Sequence, residues 1–289
     1  MEQLKLFIEL TRLKKPIGYM LLFWPCTWGI TITYNFGEEK ITFLFYIALF
    51  LIGAILMRSA GCIVNDIVDK KFDKQVFRTK NRPIASGKVS VNRAVFISMF
   101  LCVIAFLVLI QFNNFTIFLA LGSMPLAFVY PYMKRLTYWP QLFLGITFNY
   151  GLLIGWSSVN NNLGIIPIIF YIGAIFWTLG YDTIYGFQDI KDDEIIGLKS
   201  TSIKFKKNPK VFLMSSYLIF LTCITIGGWM LELGLIFFIL LIAPLFHLIF
   251  YQINNFDPSN PEVCFKIFKS NNFLGSLIFL VLLLGNLSK

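Results

Sequence analysis

Residues 46–73 read YIALFLIGAILMRSAGCIVNDIVDKKFD, an apolar run of membrane-spanning length that ends in a cluster of aspartates. The cluster consists of Asp66, Asp69 and Asp73. At about 100° per residue, Asp69 lies about 60° and Asp73 about 20° from Asp66 around a helix, so the carboxylates share one face. Like charges at a membrane surface repel one another, and a cation must neutralise them. The stretch therefore predicts a membrane fold and a cation site.

The rest of the chain repeats the apolar part of this pattern. Of the 289 residues, 57% are hydrophobic and 14% charged, which excludes an ordinary soluble domain. Helices satisfy their own backbone hydrogen bonds in lipid, so apolar runs of this length predict transmembrane helices. Nine such runs leave little sequence for anything else, and we predict a single all-α integral membrane domain over residues 1–289. The runs cover residues 16–34, 42–64, 92–112, 115–133, 139–158, 163–185, 211–231, 233–251 and 271–287.

The basic residues indicate how the chain crosses the membrane. The net charge is +10, and the basic residues crowd into segments that nine crossings place on the same side as the N-terminus. Loops of the other side, such as NFGEEK and QFNN, are short and nearly free of positive charge. The positive-inside rule then predicts a cytoplasmic N-terminus and an external C-terminus. The basic balance therefore indicates membrane topology rather than nucleic-acid binding.

A second acidic stretch, YDTIYGFQDIKDDE at residues 181–194, ends the sixth run on the same predicted side. Asp189 and Asp193 fall within about 20° of Asp182 around a helix, and Tyr185 takes the place that Asp69 has in the first stretch. Magnesium prefers oxygen ligands and uses carboxylates together with water and substrate phosphates. Two matched carboxylate faces therefore favour a magnesium site. The alternative is a solvated loop in which the acids pair with neighbouring lysines.

Basic residues lie close to both acidic stretches, in RTKNRPIASGKVS at 78–90, YPYMKRLTYWPQ at 130–141 and GLKST at 197–201. Carboxylates, a metal and such cations together form a receptor for a polyanion, most simply a diphosphate. The alternative is that the cations only anchor the loops to anionic lipid. Arg58 differs because it lies inside the second run, where it either binds a substrate carboxylate or pairs with an acid of the metal site.

The segments NDIVDKKFD, RTKNRPIASG, YPYMKR and YDTIYGFQDIKDDEIIGLKST resemble the motifs of the UbiA family of intramembrane prenyltransferases, and the likeness spans nearly the whole chain. The resemblance implies nine transmembrane helices around a central cavity, with the active site toward the cytoplasm. It implies transfer of a polyprenyl group from polyprenyl diphosphate to the ring of 4-hydroxybenzoate in ubiquinone biosynthesis. Within the family, the alternative is another acceptor, such as homogentisate, a naphthoate, haem or a lipid.

The resemblance also assigns roles to residues, with Mg²⁺ as the cofactor. The implied metal ligands, which are also the implied catalytic residues, are Asp66, Asp69, Asp73, Asp189 and Asp193. The implied substrate-binding residues are Asn65, Arg58, Arg82, Lys134, Arg135, Asp182, Tyr185 and Lys199. Arg58 or Arg135 is expected to hold the acceptor carboxylate, and Asp182 to orient a neighbouring group.

Two other classes of membrane protein compete with this interpretation. A secondary transporter also carries intramembrane acids, usually near the midplane on helices broken by Gly or Pro. Gly61 and Gly180, near the two acidic stretches, are compatible with such breaks. A structural scaffold gives no reason for two matched carboxylate faces.

The expected surroundings are a lipid bilayer, with no nucleic acid and no obligate protein partner. The bias toward Lys, Ile, Asn and Phe indicates an AT-rich genome. From that bias we predict that this multi-pass protein lies in a bacterial plasma membrane, the cell inner membrane, rather than in a mitochondrial one.

Overall fold

The chain folds into helices. The computed structural model describes residues 2–37 and 40–289, and no strand occurs in those ranges. A short helix, α1 (Glu2–Thr11), comes first. The membrane helices are α2 (Ile17–Thr31), α3 (Lys40–Val68), α4 (Val91–Leu109), α5 (Asn114–Leu136), α6 (Pro140–Asn160), α7 (Ile165–Gly186), α8 (Pro209–Met230), α9 (Leu235–Ile253) and α10 (Pro261–Leu287). Short helices at Lys70–Asp73, Ile190–Ile195 and Thr201–Lys204 lie in the loops after α3 and α7.

Each of the nine predicted runs falls on one of these helices, which confirms the predicted all-α membrane fold over the described ranges. Eight of the helices, α3 to α10, are long and apolar enough to cross a membrane, whereas the 15 residues of α2 rise only about 22 Å. Two bounds differ from the prediction by four residues or more. α3 continues to Val68, so Asn65 and Asp66 lie on the helix itself. α10 begins at Pro261 rather than residue 271, because Asn260 caps its first turn.

Proline interrupts α5 and α9 but not the two helices that carry the acids. α5 breaks at Ser123 ahead of Pro125, and α9 passes after Pro244 into a π-helix over His247–Ile253. α3 and α7 run unbroken through Gly61 and Gly180. The acids therefore lie at the ends of continuous helices, which argues against the broken helices of a transporter.

Glycines let α2 and α6 approach closely. A Cβ on Gly29 of α2 would lie 2.1 Å from the carbonyl oxygen of Leu152, and one on Gly155 of α6 would lie 2.2 Å from that of Cys26. Both contacts are with backbone, which cannot move aside as a side chain can. Small residues serve this purpose in membranes, where association depends on close packing.

Gly155→Ala is expected to push α2 away from α6 and to lower the free energy of unfolding by about 1–3 kcal/mol, the usual cost of overpacking. The measurement is the Tm of the purified protein in detergent. Gly164→Ala is the control, since a Cβ there meets nothing within 4 Å. A Tm for Gly155→Ala equal to that of the control would contradict this account of the packing.

The two ends of the bundle carry different loops. At one end, Leu10 of α1 packs with Ile63 of α3. At the same end, the amide of Lys199 donates to the carbonyl oxygen of Lys134 at 2.8 Å, which joins the loop after α7 to the end of α5. We call this the basic end, formed by α1, the end of α5 and the loops 69–90, 137–139 and 187–208. At the other end, the α8–α9 turn lies against the last turn of α10, where Gly234 N donates to Gly285 O at 3.5 Å.

Candidate active site

A cavity of about 1360 Å³ lies inside the bundle and reaches the basic end. Much of its wall is apolar and comes from α4, α5 and α6, with Phe106, Leu121 and Ile154 as examples. Its polar lining gathers where α3 and α7 end and includes Asp66 and Asp182. This division suits a ligand with a long apolar tail and a charged head.

The carboxylates of the first acidic stretch are buried and bound to basic side chains. The exposed fractions of Asp66, Asp69 and Asp73 are 2%, 1% and 6%. Asp66 accepts hydrogen bonds from Arg12 and, at 3.1 Å, from Arg82. The same Arg82 nitrogen donates to Asp73 at 2.8 Å. One guanidinium therefore bridges two of the three carboxylates.

Asp69 is held from the end of α5. It accepts from Lys134 and, at 3.2 Å, from Arg135, which also donates to the carbonyl oxygen of Val68 at 3.0 Å. Burial and these partners exclude the alternative of a solvated loop for the first stretch, because solvated acids keep their water.

The second acidic stretch is bound by an arginine from the loop of the first. Arg78 Nε donates to Asp189 at 2.8 Å, and another of its nitrogens donates to the hydroxyl of Tyr185 at 3.2 Å. The Arg78 guanidinium also lies over the Tyr185 ring, 5.7 Å from its centroid. This side chain ties the end of α7 to the loop after α3, so the two acidic stretches converge at the basic end.

Burial disfavours the charged form of carboxylates in both acidic stretches, and nearby cations offset this effect. Burial, together with repulsion from Asp189, raises the pKa of Asp193 to about 6. Burial also raises the pKa of Asp73, against the opposing effect of Arg82. Both shifts show that these sites hold negative charge less readily than water does.

The predicted ligands fit magnesium by their chemistry, since all five are carboxylates and Mg²⁺ prefers oxygen donors. Guanidinium and ammonium groups neutralise several of them in this structure. Accordingly, no three Asp, Glu, His or Cys side chains converge closely enough for a metal within residues 2–37 and 40–289. The donors therefore lie at the basic end, where Asp66 alone of the five lines the cavity, and their convergence on a metal stays a prediction.

Most of the predicted substrate-binding residues line the cavity. Those on its wall are Asn65, Arg58, Arg82, Asp182 and Tyr185. Lys134 and Arg135 instead hold Asp69, as described above. Lys199 is directed toward the end of α5, where its Nζ donates to the carbonyl oxygen of Leu136 at 3.2 Å. The structure therefore does not bring Lys199 to the carboxylates, because its own loop is fixed to the end of α5.

Arg58 lies on the cavity wall inside the membrane. Its guanidinium carbon lies 5.2 Å from the centroid of the Phe148 ring on α6. Of the two roles predicted for Arg58, pairing with an acid of the metal site is not observed among the described residues. The guanidinium instead faces the cavity.

Sequence reasoning missed Arg12 and Arg78 as partners of the acids. Arg12 follows α1 in the left-handed conformation, with a φ of 56°, which turns the chain where the helix ends. The signal for Arg78 was available, because it opens the same RTKNRP segment that contains Arg82. Lys15 also lines the cavity, and burial, together with repulsion from Arg12, lowers its pKa. A lowered lysine pKa is expected where a buried cation lies close to other cations.

The protein is a helical membrane bundle whose apolar cavity ends in carboxylates and basic side chains. These features define a class of intramembrane protein that binds amphipathic ligands with an anionic head group and a lipid-like tail. Within that class, the chain belongs to the UbiA prenyltransferase family, whose model matches residues 22–280. This confirms the family predicted from the motifs.

Individual relatives agree with the family. The chain is 42% identical to a Bos taurus protein named 4-hydroxybenzoate polyprenyltransferase, mitochondrial, over 98% of this chain and 76% of that protein. The Homo sapiens protein of the same name is 41% identical, with the same coverage of 98% and 76%. A solved UbiA homologue from Archaeoglobus fulgidus, bound to DMAPP and Mg²⁺, matches with a TM-score of 0.72 at 16% identity over 96% of this chain and 97% of that one. At that identity the match shows the fold alone.

The prediction of a bacterial plasma membrane, with an active site toward the bacterial cytoplasm, is wrong by this comparison. The Bos taurus and Homo sapiens relatives are both named as mitochondrial proteins. The prediction rested on a bias toward Lys, Ile, Asn and Phe, which reflects the base composition of a genome and carries no information about a compartment. The multi-pass character is confirmed by the eight long apolar helices of the described chain.

Proposed function

We propose that the chain transfers a polyprenyl group from polyprenyl diphosphate to 4-hydroxybenzoate, releasing diphosphate, as a step of ubiquinone biosynthesis in a mitochondrial membrane. The observation that carries the proposal is the convergence of both acidic stretches with Arg12, Arg78 and Arg82 at the charged end of an apolar cavity. The names of the relatives support the choice of acceptor.

The proposed topology follows the charge distribution. The whole chain is one membrane domain. Its basic end lies on the side of the membrane that keeps positively charged loops, and residue 288 lies on the opposite side. The diphosphate would then enter from the retained side, and the tail would stay within the bilayer.

The diphosphate binds at the basic end, where the arginines exchange carboxylate partners for phosphate oxygens. Charge-assisted bonds to phosphate suit guanidinium groups, which present paired donors. The carboxylates released in this exchange are the proposed magnesium ligands, Asp66, Asp69, Asp73, Asp189 and Asp193. When bound, magnesium would neutralise the negative charge that develops on the departing diphosphate.

Cleavage of the bond between the prenyl carbon and the diphosphate oxygen leaves an allylic cation. Tyr130, Phe148 and Tyr185 present rings to the cavity. Aromatic faces stabilise a cation and exclude the water that would consume it. The acceptor carbon ortho to the phenol hydroxyl then bonds to the prenyl carbon and loses its proton, giving the 3-polyprenyl product.

The test is product formation by the purified protein in liposomes with geranyl diphosphate and 4-hydroxybenzoate. We expect diphosphate release that stops with EDTA and resumes with excess Mg²⁺. Homogentisate and 1,4-dihydroxy-2-naphthoate, offered in parallel, are expected to react much more slowly. A faster reaction with either of them would assign a different acceptor, and passage of substrate across the vesicle wall unchanged would favour a transporter.

Arg58→Ala is expected to lower kcat/KM for 4-hydroxybenzoate roughly 10- to 100-fold, the cost of one charged hydrogen bond. The KM for geranyl diphosphate is expected to change little, because the basic end stays intact. Steady-state kinetics with each substrate varied in turn provide the measurement. Lys204→Ala is the control. Lys204 belongs to the loop after α7, its ammonium group lies over the ring of Trp139, and it does not line the cavity. An equal loss for both substrates would contradict the acceptor role.

A further inference from the structure

We propose that Gly18 is a positioning residue for Arg58 and thereby sets the preference for an acceptor that carries a carboxylate. Gly18 lies in the first turn of α2 and lines the cavity. The inference rests on the proposed function, in which Arg58 binds the acceptor carboxylate.

The guanidinium of Arg58 occupies a slot between α2 and α6. A Cβ on Gly18 would lie 2.7 Å from Arg58 Nε, 3.4 Å from one terminal nitrogen and 3.5 Å from Cζ. The first of these distances is shorter than non-bonded atoms tolerate. The centroid of the Phe148 ring on α6 lies 5.2 Å from the guanidinium carbon. Only a residue without a side chain leaves Arg58 its observed place.

The slot is fixed by its walls. The close approach of Gly29 to Leu152 and of Gly155 to Cys26 locks α2 against α6 farther along the same two helices. No hydrogen bond to its side chain occurs among the described residues, and Asp182 of α7 attracts it electrostatically. Contact with Gly18 and Phe148 therefore limits where the guanidinium can lie. A planar guanidinium binds a carboxylate tightly only when its two parallel N–H donors point at the two carboxylate oxygens.

A methyl group at position 18 displaces a flexible side chain rather than backbone, so the fold tolerates it. The guanidinium has to move, and a displacement near 1 Å is enough to cost up to about 100-fold in a positioned reaction. Acceptors without a carboxylate do not use this contact, so their kcat/KM is expected to stay unchanged. The expected signature is therefore a change in discrimination between acceptors rather than a general loss of activity.

The experiment compares Gly18→Ala with the wild type in liposomes, with geranyl diphosphate as donor and 4-hydroxybenzoate or 4-hydroxybenzamide as acceptor. We expect the ratio of kcat/KM for the acid to that for the amide to fall roughly 10-fold. The KM for geranyl diphosphate is expected to stay at the wild-type value. Gly53→Ala is the matched control, because a Cβ on that glycine of α3 meets nothing within 4 Å, and it is expected to keep the wild-type ratio.

A second comparison separates this inference from the proposed function. With Arg58→Ala as background, Gly18→Ala is expected to cause no further change in the ratio, since the displaced group is gone. A wild-type ratio in Gly18→Ala together with a lowered ratio in Arg58→Ala would overturn the positioning role and keep the function. A wild-type ratio in Arg58→Ala would overturn the acceptor role of Arg58 and the positioning role with it. No turnover of either acceptor by the wild type would overturn the proposed function itself.

Discussion

Asp66→Asn is expected to lower kcat/KM by about 100- to 1000-fold, the loss typical when a preorganised charge at the reacting centre is removed. Asp66 is buried and neutralises Arg12 and Arg82 together. Asparagine keeps the volume but removes the negative charge, which weakens the proposed metal site and leaves two guanidinium groups competing for the remaining carboxylates. The measurement is product formation at saturating Mg²⁺, with size-exclusion chromatography to confirm that the variant is folded.

Asp257→Asn provides the control for this charge change. Asp257 is exposed in the loop between α9 and α10, where it accepts hydrogen bonds from Ser259. The variant makes the same chemical change outside the cavity and is expected to retain full activity. Near-wild-type turnover by the folded Asp66→Asn variant would contradict a role for the first acidic stretch in the reaction.

Asp189→Asn is the second large effect we expect, about 100-fold or more in kcat/KM. Asp189 is the carboxylate that Arg78 binds, and it repels Asp193. The substitution removes one proposed metal ligand and frees Arg78, so the half-saturating Mg²⁺ concentration is also expected to rise. A magnesium titration of the rate at saturating geranyl diphosphate measures both effects.

Asp192→Asn is the neighbouring control in the same stretch. Asp192 is only partly buried, and it makes no ion pair within the described residues. We expect its magnesium titration to match the wild type. If Asp189→Asn and Asp192→Asn shifted the titration equally, the effect would come from net charge at the basic end rather than from a metal ligand.

Two features of the fold were predictable from sequence for simple reasons. Lipid demands helices of fixed minimum length, so apolar runs identified the membrane helices even where the bounds were wrong, as at Pro261. Helical periodicity predicted one shared face for Asp66, Asp69 and Asp73. The long helix ends at Val68, before the last two, but all three are buried at the same end of the bundle.

The partners of the acids were not predictable in the same way. Arg12 reaches Asp66 only because α1 folds back on α3, and Arg78 reaches Asp189 only because a loop crosses from α3 to α7. Both contacts depend on tertiary structure, which periodicity does not encode. Lys199 shows the opposite error, because closeness in sequence to the acids suggested a contact that its loop does not make.

The central claim is that both acidic stretches bind one metal–diphosphate head group at the basic end of the cavity. The most direct measurement is an experimental structure of the protein with Mn²⁺ and a non-hydrolysable geranyl thiodiphosphate, with manganese located by its anomalous scattering. We predict manganese within about 2.5 Å of carboxylate oxygens from both Asp66 and Asp189 or their neighbours in each stretch, bridged by the thiodiphosphate. Manganese bound to one stretch alone, or a thiodiphosphate outside the basic end, would contradict it.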